Sequence, residues 1–179
     1  MAAENINVAS SSTELNDQDV VITTNDNRNF TVKILVARVS KTINNMIQDL
    51  GDGLDLSSGI PLPNVDGPIF EKVLEWCEEH KNAPEIKVEQ DPHTRERKWF
   101  TMTEWEEEYF RKYLSNLWDL AMAANYLEIP SLYYYTCQKL AERIKGRTPE
   151  QIREMFGIED DLTEEEKAEI RRTNVWCTY

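Results

Sequence analysis

A charged segment without hydrophobic periodicity, residues 81–98, is the feature that most constrains the fold of this chain of 179 residues. The segment mixes prolines with charges of both signs, which is typical of a solvated loop. Before it, short β-branched runs alternate with helical patterns, and after it only helical patterns occur. The sequence therefore predicts a mixed α/β half followed by an all-helical half.

The mixed half begins with a predicted β-hairpin. Residues 20–22 and 30–32 are short apolar runs rich in β-branched side chains, and the turn-forming residues Asn25, Asp26 and Asn27 lie between them. Residues 1–18 are polar, and we expect them to form a disordered tail.

Helical patterns follow the hairpin. Between residues 34 and 50 apolar side chains recur every three or four positions, and Ser40 or Thr42 could cap a second helix within this stretch. Another helix is predicted after Asp66 or Gly67, either of which could cap it. Its predicted buried stripe consists of Ile69, Phe70, Val73, Leu74, Trp76 and Cys77.

One arrangement of residues could support nucleophilic chemistry. Cys77 and His80 lie three positions apart on one helix face, within reach of a thiol–imidazole pair. The alternative, which we favour, is that Cys77 completes the apolar stripe and His80 ends the helix. Residues 106–108 and 164–166 are runs of glutamate that we expect to be solvated helix faces.

Other chemistry is not indicated. The chain has only two histidines, and motifs for a phosphate-binding loop or a serine nucleophile do not occur. We therefore expect no catalytic residue, no metal site and no cofactor, and we expect the protein not to be an enzyme.

Charge and composition exclude two classes of partner. The formal net charge is −13 and the pI is about 4.6, whereas nucleic-acid binding needs clustered lysine and arginine. No apolar stretch approaches the ~20 residues of a membrane span. The three cysteines are widely separated, and we expect them to be reduced thiols in the cytoplasm and nucleus.

Two predicted helices near the C-terminal end have strong N-caps but few apolar residues. Capping boxes are predicted at residues 148–151 and 163–166. Such short helices are marginal alone, which suggests that a partner completes them; the alternative is that they pack on residues 132–144 as a bundle. Their apolar residues are Phe156, Ile158, Leu162, Ile170, Val175 and Trp176.

Several ordered motifs resemble the S-phase kinase-associated protein (Skp) adaptors, which couple F-box substrate receptors to cullin scaffolds in ubiquitin ligases. The matching segments are GRTPEQIR at 146–153, FGI at 156–158, DLTEEE at 161–166, NVWC at 174–177, AANYL at 123–127, PLPNV at 61–65 and WCEEHK at 76–81. The resemblance runs from about Val20 to Cys177.

The resemblance implies a fold and two partner surfaces. It implies an α/β BTB/POZ domain over residues 19–127 and an all-helical F-box-binding region over residues 128–179. The implied cullin-binding surface lies near Asn125 and Tyr126, and Trp118 and Met122 are predicted to belong to it because they share a helix face with Asn125. The implied F-box-binding residues are Ile144, Ile152, Met155, Phe156, Ile158, Leu162, Ile170, Val175, Trp176 and Cys177.

The expected function is that of a non-enzymatic adaptor that bridges an F-box protein and the N-terminal domain of a cullin. The alternative is a POZ-type homodimer or a structural scaffold outside ubiquitin ligases, because POZ domains often self-associate through a similar face. It also remains open whether Trp118 and Met122 contact a partner or pack in the core.

The chain departs from the family pattern at several positions. Asn27 stands where glycine is usual, which is tolerable because asparagine also accepts positive φ. Residues 87–98 are more basic than the corresponding loop of relatives, residues 111–115 differ from the usual run, and residues 133–135 are three tyrosines. These departures leave the choice of cullin and F-box partners open and suggest a divergent paralogue.

Overall fold

A computed structural model describes residues 17–50 and 59–175. The chain divides into two compact units, residues 1–138 and residues 139–179. Most of the predicted tail, residues 1–16, lies outside the described residues.

The first unit contains a three-stranded sheet. Its strands are β1 (Asp19–Thr24), β2 (Asn29–Lys33) and β3 (Ile60–Leu62), in the order β2-β1-β3. β1 pairs antiparallel with β2, which confirms the predicted hairpin, and parallel with β3, where Ile22 lies opposite Ile60. Asn27 in the hairpin turn has φ 60°, the left-handed conformation expected at this position.

Eight α-helices are described in residues 17–50 and 59–175. They are α1 (Ile34–Ala37), α2 (Lys41–Leu50), α3 (Gly67–His80), α4 (Glu104–Lys112), α5 (Leu117–Tyr126), α6 (Pro130–Ile144), α7 (Pro149–Phe156) and α8 (Glu164–Thr173). A 3₁₀ turn, Leu114–Asn116, precedes α5. The mixed α/β half and the helical half therefore occur as predicted.

The stretch of residues 34–50 forms two helices because Ser40 interrupts it. The Ser40 Oγ accepts a hydrogen bond of 3.1 Å from the backbone N–H of Ile43. Ser40 is therefore the cap of α2. Thr42 has another role, because its hydroxyl donates to the carbonyl of Tyr126 at 2.9 Å.

The core of the first unit is organised by α3. Asp66 caps this helix, since its carboxylate accepts from the N–H of Ile69 at 2.9 Å. Most of the predicted stripe is buried, although Leu74 is only half-buried. Trp76 is fully buried, and its Nε1 donates to the Ser131 hydroxyl of α6 at 3.1 Å. Burial of one such side chain contributes about 1.5–3 kcal/mol. The fully or almost fully buried residues of the stripe are Ile69, Phe70, Val73, Trp76 and Cys77.

Residues 81–103 connect α3 to α4 without a helix, as predicted for the charged loop. An isolated antiparallel bridge joins Gln90 to Arg97. The loop ends where Thr103 forms a capping box with Glu106 at the start of α4. Among the described residues, no helix is long and apolar enough to cross a bilayer.

Candidate functional site

The predicted cullin-binding residues lie on one side of α5, which we call the α5 face: Trp118, Met122, Asn125 and Tyr126. Trp118 is 60% exposed and Met122 is 56% exposed. Asn125 is also exposed and Tyr126 is half-buried. The alternative of core packing is therefore wrong for Trp118 and Met122. The opposite side of α5 supplies the core residues Leu117, Leu120, Ala121 and Ala124.

The α5 face presents two large apolar side chains, Trp118 and Met122, to solvent. A helix that is apolar on both sides normally has a second element or a partner covering it. Exposed aromatic and methionine side chains are also the residue types that dominate protein interfaces. The α5 face is therefore a candidate binding surface.

Hydrogen bonds to α2 fix the C-terminal end of α5. The carbonyl of Tyr126 accepts from the Thr42 hydroxyl at 2.9 Å, and the carbonyl of Leu127 accepts from the Ser40 hydroxyl at 2.6 Å. Asn125 and Tyr126 therefore occupy a backbone position that is held by contacts distant in the sequence.

A small cavity of about 150 Å³ opens beside Met122. The hairpin turn, the connection from β3 to α3 and the buried edge of α5 meet here. Sequence reasoning missed these neighbours, because the turn residues carry no pattern that relates them to α5. The lining residues are Asn25, Asn64, Val65, Asp66, Ile69, Asp119, Met122 and Ala123.

Both predicted capping boxes are present in the second unit. The Thr148 hydroxyl accepts from the N–H of Gln151 at 3.3 Å, and the Gln151 side chain accepts from the N–H of Thr148 at 3.2 Å. Thr163 and Glu166 form the equivalent pair at the start of α8, with distances of 3.3 and 2.8 Å. These caps define where α7 and α8 begin.

The apolar residues of this unit are not buried. Neither α7 nor α8 has a buried side chain. Ile158 is 55% exposed and Val175 is 78% exposed, and Ile144 and Ile170 are also exposed. Ile152, Met155, Phe156 and Leu162 are half-buried. We call these eight residues the C-terminal surface. The predicted residues Trp176 and Cys177 lie outside the described residues.

Ion pairs near the surface connect α7, α8 and the turn between them. Lys167 donates to Asp160 at 2.6 Å and to Glu164 at 3.0 Å, and Arg171 lies 3.9 Å from Glu150. The Lys167 ammonium lowers the pKa of the Asp160 carboxyl. The Arg171–Glu150 pair, which joins α8 to α7, is exposed on both sides, and exposed pairs of this kind contribute little to stability.

The possible thiol–imidazole pair does not form. Cys77 is buried, and burial raises the pKa of its thiol to about 12. His80 instead stacks on Trp76, with 4.0 Å between the ring centroids, and its Nε2 lies 3.1 Å from Oε1 of Glu106. Cys77 therefore belongs to the core, and His80 ends α3, as we favoured.

The position of Glu106 contradicts the prediction that residues 106–108 form a solvated helix face. It was expected on a solvated face, but it is only 6% exposed. Its carboxylate accepts from the N–H of Thr103 at 2.6 Å and contacts His80. A buried carboxylate is tolerated when such partners satisfy its oxygens. Among the described residues, no cluster of three or more His, Cys, Asp or Glu side chains could hold a metal ion.

Comparison with known proteins identifies the same family along most of the chain. The tetramerisation domain of the Skp1 family matches residues 18–82, and the dimerisation domain of the Skp1 family matches residues 130–177. Two separate parts of the chain, on either side of the charged loop and the α4–α5 region, thus match the same family independently.

Relatives with similar sequences span nearly the whole chain. The E3 ubiquitin ligase complex SCF subunit sconC of Talaromyces stipitatus is 38% identical over 158 residues, which is 88% of this chain and 96% of that protein. The protein of the same name from Arthroderma benhamiae is 39% identical over 88% of this chain and 94% of its own length. A Skp1-related protein of Caenorhabditis elegans is 39% identical over 90% of this chain and 92% of its own length. These matches confirm the resemblance noted in the sequence.

Proposed function

The chain belongs to the Skp1 family, and from this we propose that it is the adaptor subunit of an SCF-type ubiquitin ligase, joining an F-box protein to a cullin. The observation that carries this proposal is the similarity to SCF subunits over 88% of the chain. An adaptor of this kind holds a substrate receptor close to the conjugation machinery, which raises the effective concentration of substrate.

We assign the cullin contact to the α5 face. The support is the exposure of Trp118 and Met122 together with the fixed position of Asn125 and Tyr126. Docking a cullin there would remove two large apolar side chains from water, at about 25 cal/mol per Å² of apolar surface.

We assign the F-box contact to the C-terminal surface and to Trp176 and Cys177. The support is the combination of complete capping boxes with helices whose side chains are at most half-buried. The apolar residues that α7 and α8 expose would be covered by the F-box. This arrangement is the helix-to-partner packing typical of recognition by amphipathic helices.

We further propose that the adaptor contributes no catalytic group of its own and acts in the cytoplasm and nucleus. The proposal that there is no catalytic group is supported by the burial of Cys77, whose pKa of about 12 keeps the thiol protonated at neutral pH. The proposed location is supported by Cys77 and Cys137, which are both free thiols.

Affinity capture of the tagged full chain from cells, followed by mass spectrometry, tests the proposed function. We expect a cullin and F-box proteins to be recovered together. A chain carrying Asn125→Lys and Tyr126→Lys should recover F-box proteins without the cullin, which provides the internal control. Recovery of neither class by the unaltered chain would contradict the adaptor role.

A homodimer formed through the α5 face is the second candidate. It is favoured by the exposed Trp118 and Met122 and by the family descriptions, which name dimerisation and tetramerisation domains. Sedimentation of the chain with and without a cullin N-terminal domain distinguishes the two. If the cullin dissociates a dimer into a 1:1 complex, the same face serves both partners.

A further inference from the structure

Two departures from the family pattern are not used by the adaptor role: the basic loop and the three consecutive tyrosines. We call residues 93–99 the basic tip and residues 133–135 the tyrosine triplet. They lie far apart in the sequence, but both belong to the first unit, and the structure brings them into contact.

The end of the loop is fixed to α6 by one side chain. Gln138 accepts from the N–H of Phe100 at 2.7 Å and donates to the carbonyl of Phe100 at 3.0 Å. The Phe100 ring then lies 6.0 Å from the Tyr134 ring and 5.2 Å from the Tyr135 ring, measured between centroids. The basic tip is therefore held against the tyrosine triplet by specific contacts.

The tip itself is a short hairpin. Arg97 pairs with Gln90 in an antiparallel bridge, and Lys98 N–H donates to the carbonyl of Glu89 at 3.0 Å. The Asp91 carboxylate accepts from the N–H groups of His93 and Thr94, which closes the turn. These bonds give the side chains of the tip defined positions.

The tip presents positive charge on an acidic protein. Within residues 93–99 three cations, Arg95, Arg97 and Lys98, outnumber the single carboxylate of Glu96, while the whole chain has a net charge of −13. Lys98 is ion-paired with Glu89 at 3.2 Å, so the two arginines carry the excess positive charge of the tip. The guanidinium carbon of Arg97 lies 5.2 Å from the Tyr134 ring centroid, a cation–π contact. Within residues 17–50 and 59–175, no carboxylate lies within 4.0 Å of a charged nitrogen of Arg95 or Arg97. Trp99 beside them is 56% exposed.

The surface continues into an open cleft of about 1070 Å³. Phe100 and Tyr135, which hold the tip in place, also line the cleft, as do Ile86 and Lys87. Cationic groups therefore border a recess that contains apolar side chains.

We propose that the basic tip, the tyrosine triplet and this cleft form a docking surface for an acidic segment of a partner protein that carries an apolar anchor residue. Arginines not paired with carboxylates attract glutamate and aspartate, and the charge complementarity sets orientation and association rate. The cleft receives the apolar side chain, as pockets for anchor residues do.

Two other occupants fit the surface less well. Nucleic acid requires a longer array of clustered cations than the two arginines of the tip, Arg95 and Arg97, provide. A second copy of the chain would bring two molecules of charge −13 together, which is unfavourable over much of their surfaces. An extended acidic segment contacts the tip without that wide repulsion.

Fluorescence anisotropy with a labelled, glutamate-rich synthetic peptide that has one central phenylalanine tests the proposal. We expect saturable binding to the full chain that weakens with added salt. Arg95→Glu with Arg97→Glu should weaken it by ~tenfold or more. Arg95→Glu alone should also weaken it, and this variant leaves the Arg97–Tyr134 contact intact. Lys33→Glu with Arg111→Glu, two exposed cations elsewhere in the unit, is the matched control and should change affinity less than about twofold.

Three results would overturn the proposal. The first is no saturable peptide binding by the unaltered chain, and the second is an equal loss in the control variant. The third is preferential binding of another occupant. This would be seen as displacement of the peptide by a single-stranded oligonucleotide at lower concentration, or as self-association of the chain that the Arg95→Glu variant abolishes. Replacing the phenylalanine of the peptide by glycine should weaken binding, and an unchanged affinity would remove the anchor from the proposal.

Discussion

The hydroxyl of Ser40 donates a hydrogen bond of 2.6 Å to the carbonyl of Leu127, which lies 87 residues further along the chain. The same oxygen accepts from the N–H of Ile43 at the start of α2. One buried serine therefore caps a helix and fixes the end of the helix that carries the α5 face.

We expect Ser40→Ala to destabilise the protein by about 1–2 kcal/mol, because the variant loses a helix cap and one hydrogen bond, each worth about 1 kcal/mol. The carbonyl of Leu127 keeps the hydrogen bond of 3.4 Å that it accepts from the backbone N–H of Thr42. Urea unfolding monitored by circular dichroism measures the effect. Ser115→Ala, at an exposed position, should change stability by less than about 0.5 kcal/mol. Equal effects of both substitutions would mean that the Ser40 bonds contribute nothing.

We expect Asn125→Lys with Tyr126→Lys to abolish cullin binding while F-box binding is unchanged. Two cations placed in an apolar contact become desolvated without a partner, at a cost of several kcal/mol. Calorimetry against each partner measures both affinities, and circular dichroism checks the fold. Asn82→Lys, at an exposed position of the charged loop, is the control for added charge. Parallel loss of both affinities would argue against two separate surfaces.

We expect fast amide exchange over residues 148–175 in the free protein and slow exchange when an F-box is bound. The physical reason is that no side chain of α7 or α8 is more than half-buried, so local opening requires little free energy. Hydrogen–deuterium exchange with mass spectrometry, with and without an F-box, provides the measurement. Protection in the free protein equal to that of α3 would show that these helices are already fully packed.

We expect Phe156→Ala and Trp176→Ala each to weaken F-box binding by roughly thirtyfold, which corresponds to ~2 kcal/mol. Aromatic side chains contribute the largest contact areas of interface anchors. Glu165→Ala, on the exposed side of α8, should change affinity less than about twofold. A lower melting temperature with unaltered affinity would instead assign the aromatic side chain to the core of the free chain.

We expect Cys77 to resist alkylation at pH 8 while Cys137 reacts. Burial raises the pKa of the Cys77 thiol to about 12, so the reactive thiolate is scarce, and Cys137 is only half-buried. The pKa of the Cys77 thiol is higher in the folded chain than in the unfolded chain. The protonated thiol therefore contributes to the free energy of unfolding below about pH 9, and this contribution is lost as the pH rises towards 12. Peptide mapping after iodoacetamide treatment tests the difference, and rapid labelling of Cys77 in the folded chain would refute it.

Local patterns predicted most of the elements. The hairpin, the cap at Asp66 (predicted with Gly67 as the alternative) and both C-terminal capping boxes depend on residues close together in the sequence, so a single sequence contains the necessary information. The break at Ser40 was predicted for the same reason, with Thr42 as the alternative.

Contacts between distant residues could not be predicted in this way. The burial of Glu106 depends on His80, which lies on another helix, and the glutamate run around it gives no sign of that pairing. The exposure of Trp118 could not be read from periodicity, because α5 has apolar residues on both sides. The contact of Arg97 with Tyr134 depends on where Gln138 holds the loop.

The fixed ends of the charged loop make it a natural insertion point for protein engineering. Lys41 holds Glu85 at 2.8 Å near one end, and Gln138 holds Phe100 at the other, so α3 and α4 do not depend on the length of the chain between them. Doubling the length of a flexible loop costs only about 0.6 kcal/mol. A fluorescent or affinity module inserted between His93 and Thr94 would open the turn of the basic tip, but it would report on the adaptor in cells while leaving the α5 face and the C-terminal surface unaltered.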